Sequence, residues 1–181
     1  MSSASFSAES ASHSGEDSVE TSEDLYSRAL AIALRRLNAQ QRTRSELEQT
    51  LKDKGIPPSV SDSVLDRITD MGYINDCEYA QLWVKSRFRS RGLAPSVLRR
   101  ELIAKGVDRD VIEAALAEID PADSLERARE IAHKKLRGVS ALAPAIAVRR
   151  ISAQLMRKGY SSTDSVAIAR EVVAGQHEDT E

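Results

Sequence analysis

An all-α chain of three tandem three-helix repeats forming an elongated curved array, led by a disordered acidic N-terminal tail, is the fold this sequence predicts. Three observations predict it. The 181 residues are rich in Leu, Ala, Ile, Val, Glu, Arg and Lys and carry only seven aromatic residues, eight glycines and five prolines. Those residues lose little side-chain freedom in a helix, whereas a sandwich or barrel needs more Thr, Tyr, Phe and turn glycines. From Leu25 onward a 3.6-residue apolar period runs almost unbroken. Finally, a pentapeptide recurs in register three times: Leu51-Lys52-Asp53-Lys54-Gly55, Leu102-Ile103-Ala104-Lys105-Gly106 and Leu155-Met156-Arg157-Lys158-Gly159.

The flanks of the pentapeptide repeat as well. Four residues before each leucine stands Leu47, Leu98 or Ile151; beyond each glycine, Val64, Leu65 and Ile68 match Ala115, Leu116 and Ile119, then Ile168, Ala169 and Val172. Apolar residues at i and i+4 mark the buried face of a helix, the Lys complements the dipole in the last turn, and the Gly takes the left-handed position just past the end. Two residues later come Pro57, Asp108 and Ser161. Asp and Ser there cap the next helix, and Pro57-Pro58 opens one. Thr43-x-x-Glu46 reads as a capping box, and Pro95 and Pro144 suit a first helical position.

A longer helix precedes each such pair, over about Asp24–Asn38, Asp76–Ser90 and Pro121–Arg137, the second capped by Asn75 or Asp76 after the Gly72 break. The expected organisation is a tail over 1–24, repeats over 25–74, 75–121 and 122–175, and a short acidic end over 176–181. Each repeat is near the lower size limit for a core of its own, so neighbours are expected to stack; the alternative is a single nine-helix bundle.

The net charge of −2 hides an asymmetry. Residues 1–24 hold nine serines and six acids (Glu9, Glu16, Asp17, Glu20, Glu23, Asp24) without a Lys or Arg, and Glu178, Asp179 and Glu181 follow at the other end. With those nine acids set aside, residues 25–175 hold 19 acids against all 26 basic residues, a net of +7. A Ser/Glu segment with Phe6 as its one aromatic residue cannot bury enough apolar area to offset its ordering entropy, hence the disordered tail. An acidic tail on a basic body suits partners that bind or resemble nucleic acid, although such a tail also occurs on ordinary surfaces.

Other function classes lose support from the same residues. The single cysteine, Cys77, excludes an intramolecular disulfide framework and a cysteine-rich zinc site. It lies between Asp76 and Glu78, neighbours that do not activate a thiol. His13, His133 and His177 are scattered, and His133 sits among Lys134, Lys135 and Arg137 on a solvated face. No metal or cofactor is expected. There is no Gly-rich phosphate loop, no Gly-x-Ser-x-Gly turn and no paired His/Glu of the His-Glu-x-x-His kind on a helix face, so the chain is read as a non-enzyme. No apolar run is long enough to span a bilayer and no secretory leader is legible, which makes a soluble cytoplasmic protein without a membrane partner the expectation.

The remaining candidate is a basic segment. Lys85, Arg87, Arg89, Arg91, Arg99, Arg100, Lys105 and Arg109 fall within 25 residues, opposed along the chain by Glu101 and Asp108 alone. On the helix with the apolar stripe Tyr79, Ala80, Trp83, Val84 and Phe88, Lys85 and Arg89 project from the opposite face, while Arg87 covers the stripe with its stem. Leu98 and Leu102 point inward on the next helix, turning Arg99 and Arg100 toward solvent. Lys85, Arg89, Arg99 and Arg100 are the principal candidate contacts for phosphates or an acidic partner, with Arg87 and Arg91 secondary.

The run Ile74-Asn75-Asp76-Cys77-Glu78-Tyr79-Ala80, continuing through Trp83-Val84-Lys85-Ser86-Arg87, resembles the signature of the RecX family. So do Arg44-Ser45-Glu46-Leu47 with Leu51-x-x-Lys54-Gly55, and Pro95-x-x-Leu98-Arg99-Arg100-Glu101-Leu102-x-x-Lys105-Gly106-Val107. The resemblance covers nearly all of 25–174. It implies a bacterial regulator, expected to act as a monomer, that binds the RecA–DNA filament and inhibits its ATPase, strand-exchange and coprotease activities, in several cases also binding single- or double-stranded DNA weakly. The resemblance offers no role for the acidic leader. The rival reading is a helix-turn-helix transcriptional regulator, which would want a dimer and two half-sites; a helical scaffold without a nucleic-acid partner is a third.

Overall fold

The structure, a computed structural model, describes residues 21–178, with side chains to residue 175. These residues form nine α-helices and no strand: α1 (Ser22–Ala39), α2 (Arg44–Asp53), α3 (Pro58–Asp70), α4 (Asp76–Arg91), α5 (Pro95–Ala104), α6 (Arg109–Leu116), α7 (Pro121–Leu136), α8 (Pro144–Arg157) and α9 (Ser162–Glu178). Among the described residues no helix is long and apolar enough to cross a membrane.

The caps explain the boundaries. Thr43 accepts from the Glu46 N–H, and Glu46 reaches back to the Thr43 N–H, as its spacing predicts. Thr21 and Asp24 form the same box one helix earlier, so α1 starts before the expected Asp24. Composition places residues 21–24 in the tail; they are instead the cap and first turn of α1, because a Thr-x-x-Asp spacing outweighs low hydrophobicity at a helix start. The rest of the expected tail, 1–20, lies outside the described residues, as do 179–181; α9 runs to Glu178, three residues into the expected acidic end. Asn75, not Asp76, caps α4 by accepting from the Glu78 N–H.

Each helical triplet closes its own core. Ala29, Leu47, Leu51, Val64, Leu65 and Ile68 gather in the first; Ala80, Leu98, Leu102, Ile112 and Ala115 in the second; Ala128, Ile151, Leu155, Ala169 and Val172 in the third. The repeated leucines Leu47/Leu51 and Leu98/Leu102, with Ile151/Leu155, are among the most buried side chains. Truncating one of them to Ala typically costs about 2–5 kcal/mol. Extensive helix packing stays within a triplet, α1 and α2 on α3, α4 and α5 on α6, α7 and α8 on α9, so a single nine-helix core is not formed.

Neighbouring triplets meet where the start of one triplet's middle helix touches the Lys-Gly turn of the next. At the first joint the Thr43 hydroxyl donates to the Lys105 carbonyl (2.7 Å), and the Lys105 ammonium pairs with Glu46 (2.5 Å). The capping box of α2 is therefore also the lock on the second triplet. Asp76 adds to it by accepting from the Arg44 N–H at 3.0 Å. At the second joint the Ala94 N–H donates to the Lys158 carbonyl (2.9 Å) and the Ser96 hydroxyl to the Gly159 carbonyl (2.6 Å); Ala94 itself lies in the third core.

The two acids of the first joint are shifted in opposite directions from their ordinary ranges. Burial works against the Glu46 carboxylate, yet Lys105, the Thr43 N–H and Arg42 hold it below the usual range. Burial pushes Asp76 up, only partly countered by Arg44. A carboxylate held low contributes stability above its ordinary range and loses it as pH falls through the lowered value. Acid thus neutralises Asp76 at a higher pH than an ordinary Asp, and opens the Glu46–Lys105 lock only at a lower pH than an ordinary Glu would require.

Thr43 is fully buried and serves both cap and joint. Replacing it with Ala removes both hydrogen bonds, at an expected cost of about 1–3 kcal/mol in urea unfolding. Thr43→Ser, which keeps the hydroxyl, should recover most of that; an equal loss for both would show that the methyl, not the hydrogen bonding, matters.

Candidate nucleic-acid interface

The basic segment folds into α4, the turn after it, and α5. The buried face of α4 is Tyr79, Ala80 and Val84, with Trp83 and Phe88 half-buried beside it. Tyr79 and Trp83 stack at 5.6 Å between centroids. Lys85, Arg89 and Arg91 stand on the exposed side. Gly92 ends the helix with φ 59°, its N–H returning to the Phe88 carbonyl. A Cβ at Gly92 would come within 2.5 Å of Ile131 Cδ1, so this glycine also lets the third triplet approach. On α5, Leu98 and Leu102 are buried and Arg100 is exposed.

Partners divide the six candidate arginines and lysine into two sets. Arg87 lies 3.7 Å above the Trp83 ring and 3.3 Å from Glu101, which also accepts from the Trp83 indole N–H at 2.8 Å. Arg99 makes a two-pronged pair with Glu113 of α6, at 2.7 and 2.8 Å. This hydrogen bonding raises the Arg99 pKa and lowers that of Glu113. Arg87 and Arg99 are thus engaged within the second triplet. Lys85, Arg89, Arg91 and Arg100 have no ion-pair partner among the described residues.

The turn after α4 gathers more positive charge. The Arg89 carbonyl accepts from Arg127, and the Arg91 carbonyl accepts from Lys158. Cations at a helix C-terminus meet the negative end of its dipole. The Lys158 ammonium is pushed down by burial and by the nearby charges of Arg127 and Lys134. Arg127 and Lys134 thus keep further positive charge beside Lys158 at this end of α4.

Sequence spacing alone could not pair Arg99 with Glu113, 14 residues away across the Lys-Gly turn, nor Glu46 with Lys105 across the joint. The repeat is the available signal. It places the second and third helices of each triplet side by side, although not the partner of any one arginine.

Three sequence models match successive parts of the chain: the RecX first three-helix domain over residues 29–67, the second over 75–116 and the third over 122–164. A regulatory protein RecX from Streptomyces coelicolor is 39% identical over 158 residues, covering 87% of this chain and 84% of the relative. The chain belongs to the RecX family. A RecX regulatory protein from Mycobacterium ulcerans is 42% identical over 149 residues, 82% of this chain and 84% of that one. The crystal structure of RecX from Lactobacillus salivarius superposes with a TM-score of 0.75 at 27% identity, spanning 83% of this chain and 97% of that one. The basic helix α4 and its partner α5 both fall within the second RecX domain. Relatives in the family are named regulatory proteins. Among the described residues no group of three or more His, Cys, Asp or Glu is arranged to hold a metal ion.

Proposed function

We propose that this chain is a cytoplasmic regulator that binds the RecA–DNA filament as a monomer and inhibits its ATPase, strand-exchange and coprotease activities, without catalysis of its own. The single observation that carries the reading is the set of cations without an acid partner among the described residues, Lys85, Arg89, Arg91 and Arg100, exposed on two adjacent helices of a RecX second domain. Such a surface meets phosphates of the bound DNA or acidic side chains of the recombinase through charge. Arg87 and Arg99 hold the helices that present it. Three triplets joined in series suit an extended repeating lattice better than the two half-sites of a dimeric transcriptional regulator.

The test is a RecA filament on single-stranded DNA, titrated with this protein while ATP hydrolysis and co-sedimentation are followed. Hydrolysis should fall as the protein enters the pellet with the filament. Sequence-selective binding to naked duplex, with no co-sedimentation and unchanged hydrolysis, would overturn the reading in favour of a transcriptional regulator.

A further inference from the structure

The acidic leader has no place in the function above, and one cleft suits its chemistry. Where the α1–α2 linker passes α4, a half-open cleft of about 400 Å³ is lined by Gln40, Leu82, Trp83, Ser86, Arg87 and Arg91, among others. Leu82, in the middle of α4, is 46% exposed there, an apolar side chain open to the cleft. The cleft thus joins an apolar floor to a basic rim. Along the way to it, α1 exposes Arg35 and Arg36, which have no ion-pair partner among the described residues.

Residues 1–20 match this path in chemistry and in reach. They hold one aromatic residue, Phe6, and then Glu9, Glu16, Asp17 and Glu20, with no Lys or Arg to oppose them. The 18 residues of α1 run about 27 Å at the helical rise per residue. The fifteen residues from Phe6 to the Thr21 cap span up to about 50 Å when extended. The leader can therefore turn back, follow α1 to its far end and still have slack. A covalent tether of this length keeps it at an effective concentration on the order of millimolar, so a contact too weak for a free peptide suffices.

We propose that the leader seats Phe6 in this cleft, lays its carboxylates along Arg35, Arg36 and Arg91, and thereby keeps one flank of the basic surface from phosphate until a polyanion displaces it. The docking stands on the cleft and the charges alone; the masking of phosphate rests on the proposed function. The full chain carrying Cys77→Ser and Ser7→Cys, with a bimane fluorophore on the new thiol, reports the docking, because Trp83 is the only tryptophan and quenches bimane on contact. Emission should be quenched at low salt. It should rise on Phe6→Ala, on raising salt to screen the pairs, and on Leu82→Glu, which puts a carboxylate in the cleft without disturbing Trp83. Emission indifferent to all three changes overturns the docking.

A full chain with Glu9, Glu16, Asp17 and Glu20 changed to Gln or Asn should bind an oligothymidylate about tenfold more tightly at low salt, the gap closing as salt is raised. Equal binding by the two chains, with quenching intact, overturns the masking. Failure of both chains to bind the oligonucleotide counts against the DNA-facing surface itself and leaves the docking standing on its quenching.

Discussion

Changing Lys85, Arg89, Arg91 and Arg100 together to Glu should leave the protein folded and reduce its affinity for single-stranded DNA by roughly 200-fold at 0.15 M salt. The size follows from counterion release: each phosphate neutralised on a single strand adds about 0.7 to the slope of log affinity against log salt, so removing four cations lowers the slope by about 2.8. The fold should survive because all four side chains are exposed and none pairs with an acid among the described residues. Inhibition of recombinase ATPase should fall with the binding. Arg99 serves as the contrast. Helical spacing ranks it with the principal contacts, but its guanidinium is held by Glu113. Arg99→Gln should therefore shift DNA affinity by much less than Arg100→Gln. If the folded quadruple variant binds and inhibits like the parent, the basic surface is only a solvated face. The binding surface would then be sought among Lys134, Lys135, Arg137, Arg149, Arg150 and Arg157 of the third triplet.

The second large effect concerns the Lys-Gly turns. Read as sequence, Gly55 and Gly106 are equivalent, and substitution at either should cost the same. Both are left-handed, with φ of 75° and 70°, so an alanine costs about 1–2 kcal/mol at each. Their surroundings differ. A Cβ at Gly55 meets nothing within 4 Å, whereas one at Gly106 would lie 2.2 Å from Ser45 Oγ and 2.3 Å from Ser45 Cβ. Gly106→Ala must therefore push α2 off the turn and break the Thr43 and Glu46 hydrogen bonds of the first joint. Its total cost in urea unfolding is expected at roughly 3 kcal/mol or more, adding overpacking to backbone strain. Gly159→Ala should behave like Gly106→Ala, since its Cβ would lie 2.4 Å from Val97 Cγ2. Pairing Gly106→Ala with Ser45→Gly removes the colliding atoms and should bring the cost back to that of Gly55→Ala. Equal losses at Gly55 and Gly106 would mean that the joint has no energetic role.

Local chemistry settles most of the fold. The capping box of Thr43 and Glu46, the prolines at Pro58, Pro95, Pro121 and Pro144, and the left-handed glycines all act within a few residues along the chain. Each can be read without knowing what lies across from it. The repeated leucines fix which faces are buried, because burial at i and i+4 is a property of one helix. Acidic composition misplaces the start of α1, where a cap competes with low hydrophobicity and wins. The openness of Arg99 is the other limit: helical spacing tells which way a side chain leaves its own helix, but not what the next helix brings to meet it.

Everything that decides the site is of that second kind. Glu113 reaches Arg99, Glu101 gathers Trp83 and Arg87, and Glu46 locks Lys105, over separations of 14, 18 and 59 residues. Charge in sequence is a sum, whereas a binding surface is what remains after pairing. Pairing depends on distances of about 3 Å between side chains on different helices, which only the packed triplets and their joints set. Three cores and a basic run over residues 85–109 therefore follow from residue order alone. Which charges form no ion pair among the described residues, Lys85, Arg89, Arg91 and Arg100, was decided by packing, which sets Glu118 and Asp123 along the same cleft as Lys85 and Arg89 without pairing them.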